Sequence, residues 1–345
     1  MTTIHLPHEA VTPHRLYTCW PAKAEYWPAP LSEVWPEFAA FLQALLRPGA
    51  TGERLAVTVY AATGEAEAAA RQALGSRAEI LRMPYGDVWT RDTGPVFLRQ
   101  GGSLQAVRFT HNGWGGKYLY PGDTQIGQTI ADHAGAETIV GDLVAEGGAF
   151  EFDGEGTLLT TRQCLLNPNR NPGLSEAEVE ARIKAAFGVE KVLWIDEGMV
   201  ADHTDGHIDN IVRFVRPGVV VCQAPFGADD PQTRVFADIR RQLERMRDAR
   251  GRKLQVHAIP GPGRVLDEEG EILPASYLNW VYGAGSVIVP VYGTASENRA
   301  LRVLRRLFPD RRVAGSPSRA ILTGGGAFHC VTCHVPGERQ CSEPV

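Results

Sequence analysis

No stretch of this 345-residue chain approaches the roughly 20 consecutive apolar residues that a membrane-spanning helix requires, which excludes a helical membrane span, and no membrane partner is expected. Concentrated positive charge is missing too. Lys and Arg number 35 against 40 Asp and Glu, a formal net charge of −5, and no dense basic stripe is present to follow a phosphate backbone. The one arginine-rich region, Arg240–Arg252, is interspersed with acids and reads as a solvated helix face, so nucleic acid is not expected as a partner. Cysteine is sparse, and six residues in a chain of this length do not form a disulfide framework. Met1 to Ala10 hold no cationic start followed by an apolar run; no signal peptide is read there, and the cytoplasm is the expected location. What remains is an ordinary globular composition with enough length for a large core.

Length alone would suggest about two domains. The hydrophobic pattern argues instead for one, spanning 1–345. A helix over Leu31–Leu46 and a strand over Leu55–Ala61 are followed by a recurring unit: amphipathic helix, short apolar strand, Gly-rich polar turn, further strand. Its helices are expected at Glu65–Leu74, Thr124–His133, Ser175–Phe187, Gln232–Ala249 and Glu297–Phe308. Ser175 and Glu178 form a capping box and Gly188 ends that helix. The short strands are expected at Glu79–Met83, Thr138–Val140, Val192–Ile195, Gln255–Ile259 and Arg312–Ala314, with more at Thr157–Thr160, Val219–Cys222, Ser286–Val291 and Ala320–Leu322. A period of roughly 50 to 70 residues points to a radially repeated α/β architecture. Each unit carries a polar residue at a similar phase: Asp92, Glu146, His207 with Asp209, Asn279, and Cys330. In a radial fold such positions converge on the axis and build one site.

These residue types suit one chemistry. The guanidinium carbon is a poor electrophile because its charge is delocalised, while its planar fork matches carboxylates. Asp92 and Asp209 can clamp the fork, and Cys330 can attack the carbon. His207 can protonate leaving ammonia and then activate water, Glu146 can orient His207, and Asn279 can position substrate or water. Read singly, each has a plainer explanation. Asp92 fits a turn residue paired locally with Arg91, Glu146 an exposed loop acid, Asn279 a turn cap. His207 and Asp209 fit a bonded pair on one face of a strand. The shared phase favours the catalytic reading. Cys19, Cys164 and Cys222 read as inert core. A zinc site is disfavoured, because His203 and His207 are separated by poor helix formers, and for Cys330-x-x-Cys333 Cys341 alone does not provide a second ligand pair at suitable spacing. No cofactor or metal is expected.

Seven ordered blocks between about His8 and Val335 resemble the agmatine deiminases, relatives of bacterial peptidylarginine deiminase in the pentein superfamily. They are residues 83–95 (MPYGDVWTRDTGP), 112–118 (NGWGGKY), 146–148 (EGG), 158–161 (LLTT) with 164–167 (CLLN), 204–210 (TDGHIDN), 275–279 (ASYLN) and 324–330 (GGGAFHC). The resemblance implies a pentein-type five-bladed α/β propeller with pseudo-fivefold repeats and metal-free cysteine catalysis. It also implies hydrolysis of agmatine, a small cationic guanidine, to N-carbamoylputrescine and ammonia. Carried onto matching positions it makes Cys330 the nucleophile, His207 the acid/base, Asp92 and Asp209 the clamp and Glu146 their support, with Trp89 and Trp114 lining the substrate channel. The chain departs from the family pattern in its N-terminal motif at 12–21, at Ala201–His203, at Arg162 and at Thr294, which leaves open what meets the substrate's distal end. Rival readings are a deiminase of arginine or arginyl peptides, an amidinotransferase, and a polyamine-binding protein without turnover. Homo-oligomerisation is left open.

Overall fold

The computed structural model describes residues 4–11 and 13–337; Cys341 lies outside them. Among the described residues five separate sheets form, none closed on itself, and four follow a common plan of an antiparallel hairpin whose second strand gains a parallel neighbour through a helical crossover. Val96–Gln100 and Ser103–Thr110 are joined through the helix Asp123–His133 to Glu137–Val144, and Ile4–His5 adds to the outer edge. Glu151–Phe152 and Thr157–Thr161 connect through Glu176–Phe187 to Lys191–Ile195. Val212–Arg216 and Val219–Ala224 connect through Thr233–Leu243 to Gln255–Pro260. Val281–Gly283 and Ser286–Val291 connect through Glu297–Leu307 to Arg312–Pro317. The fifth sheet joins the two ends of the chain: Cys333–Pro336 lies antiparallel to Pro13–Cys19. Ala56–Ala61 and Glu79–Arg82 then follow in parallel, through the helices Leu31–Leu45 and Gly64–Leu74.

The helices form where periodicity and caps agree. Leu31–Leu45 buries Val34, Phe38, Phe41, Leu42 and Leu45, one stripe at helical spacing. Thr63 accepts the Ala66 N–H to open Gly64–Leu74. Ser175 and Glu178 make the reciprocal capping box, and Gly188 closes that helix at φ 66°, a left-handed conformation that glycine adopts without penalty.

Three expectations are corrected. The helix placed at Gln232–Ala249 ends at Leu243. Beyond it the Asp248 carboxylate accepts from the Arg250 and Arg252 N–H groups, at 3.0 and 2.9 Å, and a turn replaces further helix. So Arg240–Arg252 is not one helix face. Ala320–Leu322, expected as strand, lies in the short helix Arg319–Leu322, whose first N–H groups are taken by Glu37 from a distant helix. His207 and Asp209 are not on a strand; His207 precedes the 3-10 turn Ile208–Asn210.

Candidate active site

A few residues before the first hairpin strand of each sheet stands one of the polar residues singled out above. Asp92 precedes Val96–Gln100, Glu146 precedes Glu151–Phe152, and His207 and Asp209 precede Val212–Arg216. Asn279 precedes Val281–Gly283 and Cys330 precedes Cys333–Pro336. All six are buried, and they meet. The Asn279 amide donates to Cys330 Sγ at 3.1 Å, while its Oδ1 accepts the His329 N–H at 2.9 Å and faces the Cys330 N–H at 3.3 Å. Asn279 therefore holds the cysteine turn from both sides. It does not line the cavity. Asp209 Oδ2 lies 4.0 Å from Cys330 Sγ and 2.7 Å from His329 Nδ1. Asp92 Oδ1 accepts the Gly148 N–H at 2.9 Å, and its Oδ2 accepts Trp114 Nε1 at 3.0 Å. His207 sits between two carboxylates, with Nε2 3.3 Å from Glu146 and Nδ1 3.8 Å from Asp92.

Local backbone explains these placements. Asp92 projects from a single helical turn, Thr90–Thr93. Trp114 reaches it from a run of left-handed residues, Gly113 to Gly116, in which Trp114 itself has φ 52°. An aromatic residue there costs on the order of 1–2 kcal/mol, a strain offset by the indole bond to Asp92 and by Asn112 Oδ1 accepting the Gly115 N–H at 2.8 Å. Gly148 has its own requirement. A Cβ at that position would lie 2.5 Å from His207 Nδ1, 2.8 Å from Asp92 Oδ1 and 3.2 Å from Asp209 Oδ2. Only a glycine leaves room where these groups converge.

The electrostatics follow from burial and neighbours. Burial, then the charges of Asp209 and Asp92, push the Cys330 thiol well above its ordinary value. Burial alone would depress His207, but Asp92 first, then Cys164 and Glu146, hold the imidazole well above the usual range. Burial raises Asp92, and the nearby acids add to this against His207. For Asp209, burial is outweighed by the bond and charge of His329, and its carboxyl is lowered. Glu146 is lowered likewise, by His207 and by Arg170, whose Nε donates at 2.8 Å. Asp209 Oδ1 and His207 Nδ1 are left without a hydrogen-bond partner among the described residues.

A cavity of about 190 Å³ opens onto this cluster. Cys330, Asp92, Trp89 and Trp114 line it, with Asp87 and a tyrosine-rich rim further out. Trp89 packs on Trp27 and donates from Nε1 to Asp87 at 2.9 Å. Glu146, His207 and Asp209 are not among its lining residues; Asp209, expected to clamp with Asp92, is buried 4.0 Å from the lining Cys330 Sγ.

Several participants were not legible in the sequence. Glu146 is no exposed loop acid: Arg170, fully buried, binds it and Asp205. Arg91 pairs with Glu9 rather than with Asp92, at 2.6 Å, and Glu9 also binds His329 and Arg213. Arg213 in turn reaches Glu151. An arginine inside the apolar run Ile211–Val215 was the available signal; Glu9 offered none. Cys164 is not plain core, since its Sγ lies 3.9 Å from Glu146. Two donor triads exist among the described residues, Glu9–His329–His334 and Glu146–Cys164–His207, and neither includes Cys330 or Cys333. Guanidinium groups already occupy their acids, which opposes a second cation there. Cys333 Sγ instead faces the Pro95 carbonyl at 3.3 Å.

Residues 5–336 match the profile of the Porphyromonas-type peptidyl-arginine deiminase family. The agmatine deiminase of Stutzerimonas stutzeri is 35% identical over 96% of this chain and 95% of its own. That of Pseudomonas aeruginosa (strain LESB58) is 34% identical over 97% and 94%. Among solved structures, the agmatine deiminase of Enterococcus faecalis, captured catalysing its reaction, superposes with a TM-score of 0.89 at 29% identity, covering 96% of each chain.

Proposed function

This chain belongs to the agmatine deiminase family of the pentein superfamily, and from that we infer that it hydrolyses agmatine to N-carbamoylputrescine and ammonia through Cys330. The observation carrying this is the vacant set of bonds around the thiol. Asp209 Oδ1 and His207 Nδ1 are buried without partners among the described residues, and with Asp92 they converge where a Cβ on Gly148 would not fit. A planar cation with several N–H donors suits that spot, and two desolvated carboxylates would fix its orientation.

The chemistry follows from the charges. A guanidinium between Asp92 and Asp209 offsets the negative charge that keeps Cys330 protonated, so the thiol ionises as substrate binds and releases its proton to solvent. The thiolate adds to the guanidinium carbon. His207, charged beforehand, protonates one nitrogen; the C–N bond breaks, ammonia leaves and a thiouronium remains. The neutral imidazole then takes a proton from water as the hydroxide adds. Collapse breaks the C–S bond, the hydroxyl proton returns to the thiolate, and the urea product departs. Glu146, anchored by Arg170, keeps His207 oriented and charged.

We read the five sheets as the blades of a five-bladed α/β propeller with pseudo-fivefold repeats, a single catalytic domain acting in the cytoplasm. In its support, each sheet is entered through a different member of the cluster.

The test is release of ammonia and N-carbamoylputrescine from agmatine by purified protein. The Cys330→Ala variant should lose turnover by about 10³-fold or more while still binding agmatine. Turnover surviving that substitution would sink the mechanism; turnover of arginyl peptides in place of agmatine would move the substrate.

A further inference from the structure

Three acids around this site have cationic partners: Glu146 has Arg170, Asp209 has His329, and Glu9 has Arg91 and Arg213. Asp87 has none. It lines the cavity and is only 7% exposed, yet among the described residues no Lys, Arg or His makes an ion pair with it. Its Oδ1 accepts the Val88 N–H at 2.7 Å and its Oδ2 accepts Trp89 Nε1 at 2.9 Å, so each oxygen keeps a lone pair free. Behind it stands a second carboxylate, Asp123, which accepts the Asp87 N–H. Lys23 makes no ion pair with it: its ammonium is bonded to Tyr26 OH and lies 4.8 Å from that ring's centroid, although its charge still acts on Asp87 across the intervening space. Burial, with the charge of Asp123 added, drives the Asp87 carboxyl up to about 7 despite its bonds to Val88 and Trp89 and the more distant charge of Lys23, as expected of a desolvated acid without an ion-pair partner.

Trp89 fixes where this acid stands relative to the reacting sulfur. A Cβ on Gly326 would lie 2.8 Å from Trp89 Cζ3 and 3.2 Å from Cys330 Sγ, and one on Gly324 would lie 3.0 Å from Trp89 Cζ2. The benzene edge of the indole therefore abuts the cysteine loop, while its nitrogen holds Asp87. Thiol and carboxylate face the same cavity from opposite ends of one rigid ring. An aliphatic chain of six bonds between a guanidine carbon and an amine, about 7 Å when extended, runs in that direction. The walls alongside are aromatic, including Tyr120 stacked on Tyr26 at 3.9 Å. Among the described residues no Lys or Arg lines the cavity to receive a carboxylate.

We propose that Asp87 is the subsite for the substrate's distal ammonium, which restricts this chain to linear alkylguanidines ending in a cation and selects against arginine. This rests on the deiminase reading above and assigns the end of the substrate which that reading left open. The position that departs from the family pattern nearby, His203, lies on the same rim stacked on Tyr118 and supplies no negative charge.

The test compares agmatine with pentylguanidine, in which a methyl replaces the ammonium. The wild-type protein should prefer agmatine in kcat/KM by about 10- to 100-fold, the value of a hydrogen-bonded charge pair. In Asp87→Asn that preference should collapse towards one. An unchanged ratio in the variant overturns the proposal, even if both rates fall, because Asp87 would then act only through Trp89. Calorimetry of the same two compounds on Cys330→Ala, with and without Asp87→Asn, reads the ratio in binding. It decides the subsite even if the deiminase reading fails and nothing is turned over.

Discussion

His207 shows at the residue scale how a fold sets a proton's affinity. Its ring is buried, which alone would favour the neutral form, but Asp92, Cys164 and Glu146 reverse this. The imidazolium is the form required to protonate ammonia, so the alkaline limb of kcat/KM should follow His207. Removing one carboxylate lowers the imidazole's proton affinity, and in Glu146→Gln that limb should move to lower pH, with kcat reduced by about 10- to 100-fold. A pH–rate profile checks this, and an unmoved alkaline limb would detach Glu146 from the role assigned to it. Cys330 and Asp92 were legible because a reactive residue type recurs in phase with the repeat. Arg170 and Glu9 were not. Their partners lie 24 and 82 or more positions away, and nothing local marks an acid or an arginine as destined for burial.

At the scale of elements, the turn Gly147–Ala149 separates two effects that adjacent glycines have. A Cβ at Gly147 would lie 2.2 Å from the Arg91 carbonyl oxygen, which is backbone and cannot turn aside. Gly147→Ala should therefore cost about 1–3 kcal/mol of stability. The Cβ of Gly148→Ala would fall among His207, Asp92 and Asp209 instead. It should lower kcat/KM by about 10²-fold, a displacement of reacting groups by about an ångström. Melting curves and steady-state kinetics on both variants test the division, which fails if Gly148→Ala keeps near-normal kinetics. Elements with their own caps were readable from sequence, as Ser175 and Gly188 show. Arg319–Leu322 was not, because the carboxylate that satisfies its N-terminus comes from Glu37, nearly 300 residues away along the chain. The Asp248 turn was missed for the opposite reason: helical periodicity continued in the composition after a side chain had already captured the backbone.

At the scale of the whole molecule, the chain's ends do more than complete the fifth sheet. The segment before Pro13 carries Glu9 inward. There it meets Arg91 beside Asp92, Arg213 in the strand that follows Asp209, and His329 beside Cys330. Arg91 also donates its N–H to the Cys330 carbonyl at 3.1 Å. One carboxylate thus ties three of the five units together directly under the site. Burial would raise Glu9, but Arg91, His329 and Arg213 outweigh it and hold the carboxyl well below the ordinary range. A depressed carboxyl contributes stability that is present above its unfolded value and is lost as pH falls through its folded one. Glu9→Gln leaves the buried Arg91 without its carboxylate and Arg213 with Glu151 alone, and should cost about 3–5 kcal/mol near neutrality. Lowering the pH below the ordinary carboxylate range protonates Glu9 in the wild-type protein as well, so the gap between wild type and variant should narrow there. Urea unfolding of both proteins between neutral and acidic pH measures this. A gap that stays constant would mean that the shape of the Glu9 side chain, and not its charge, holds the units together.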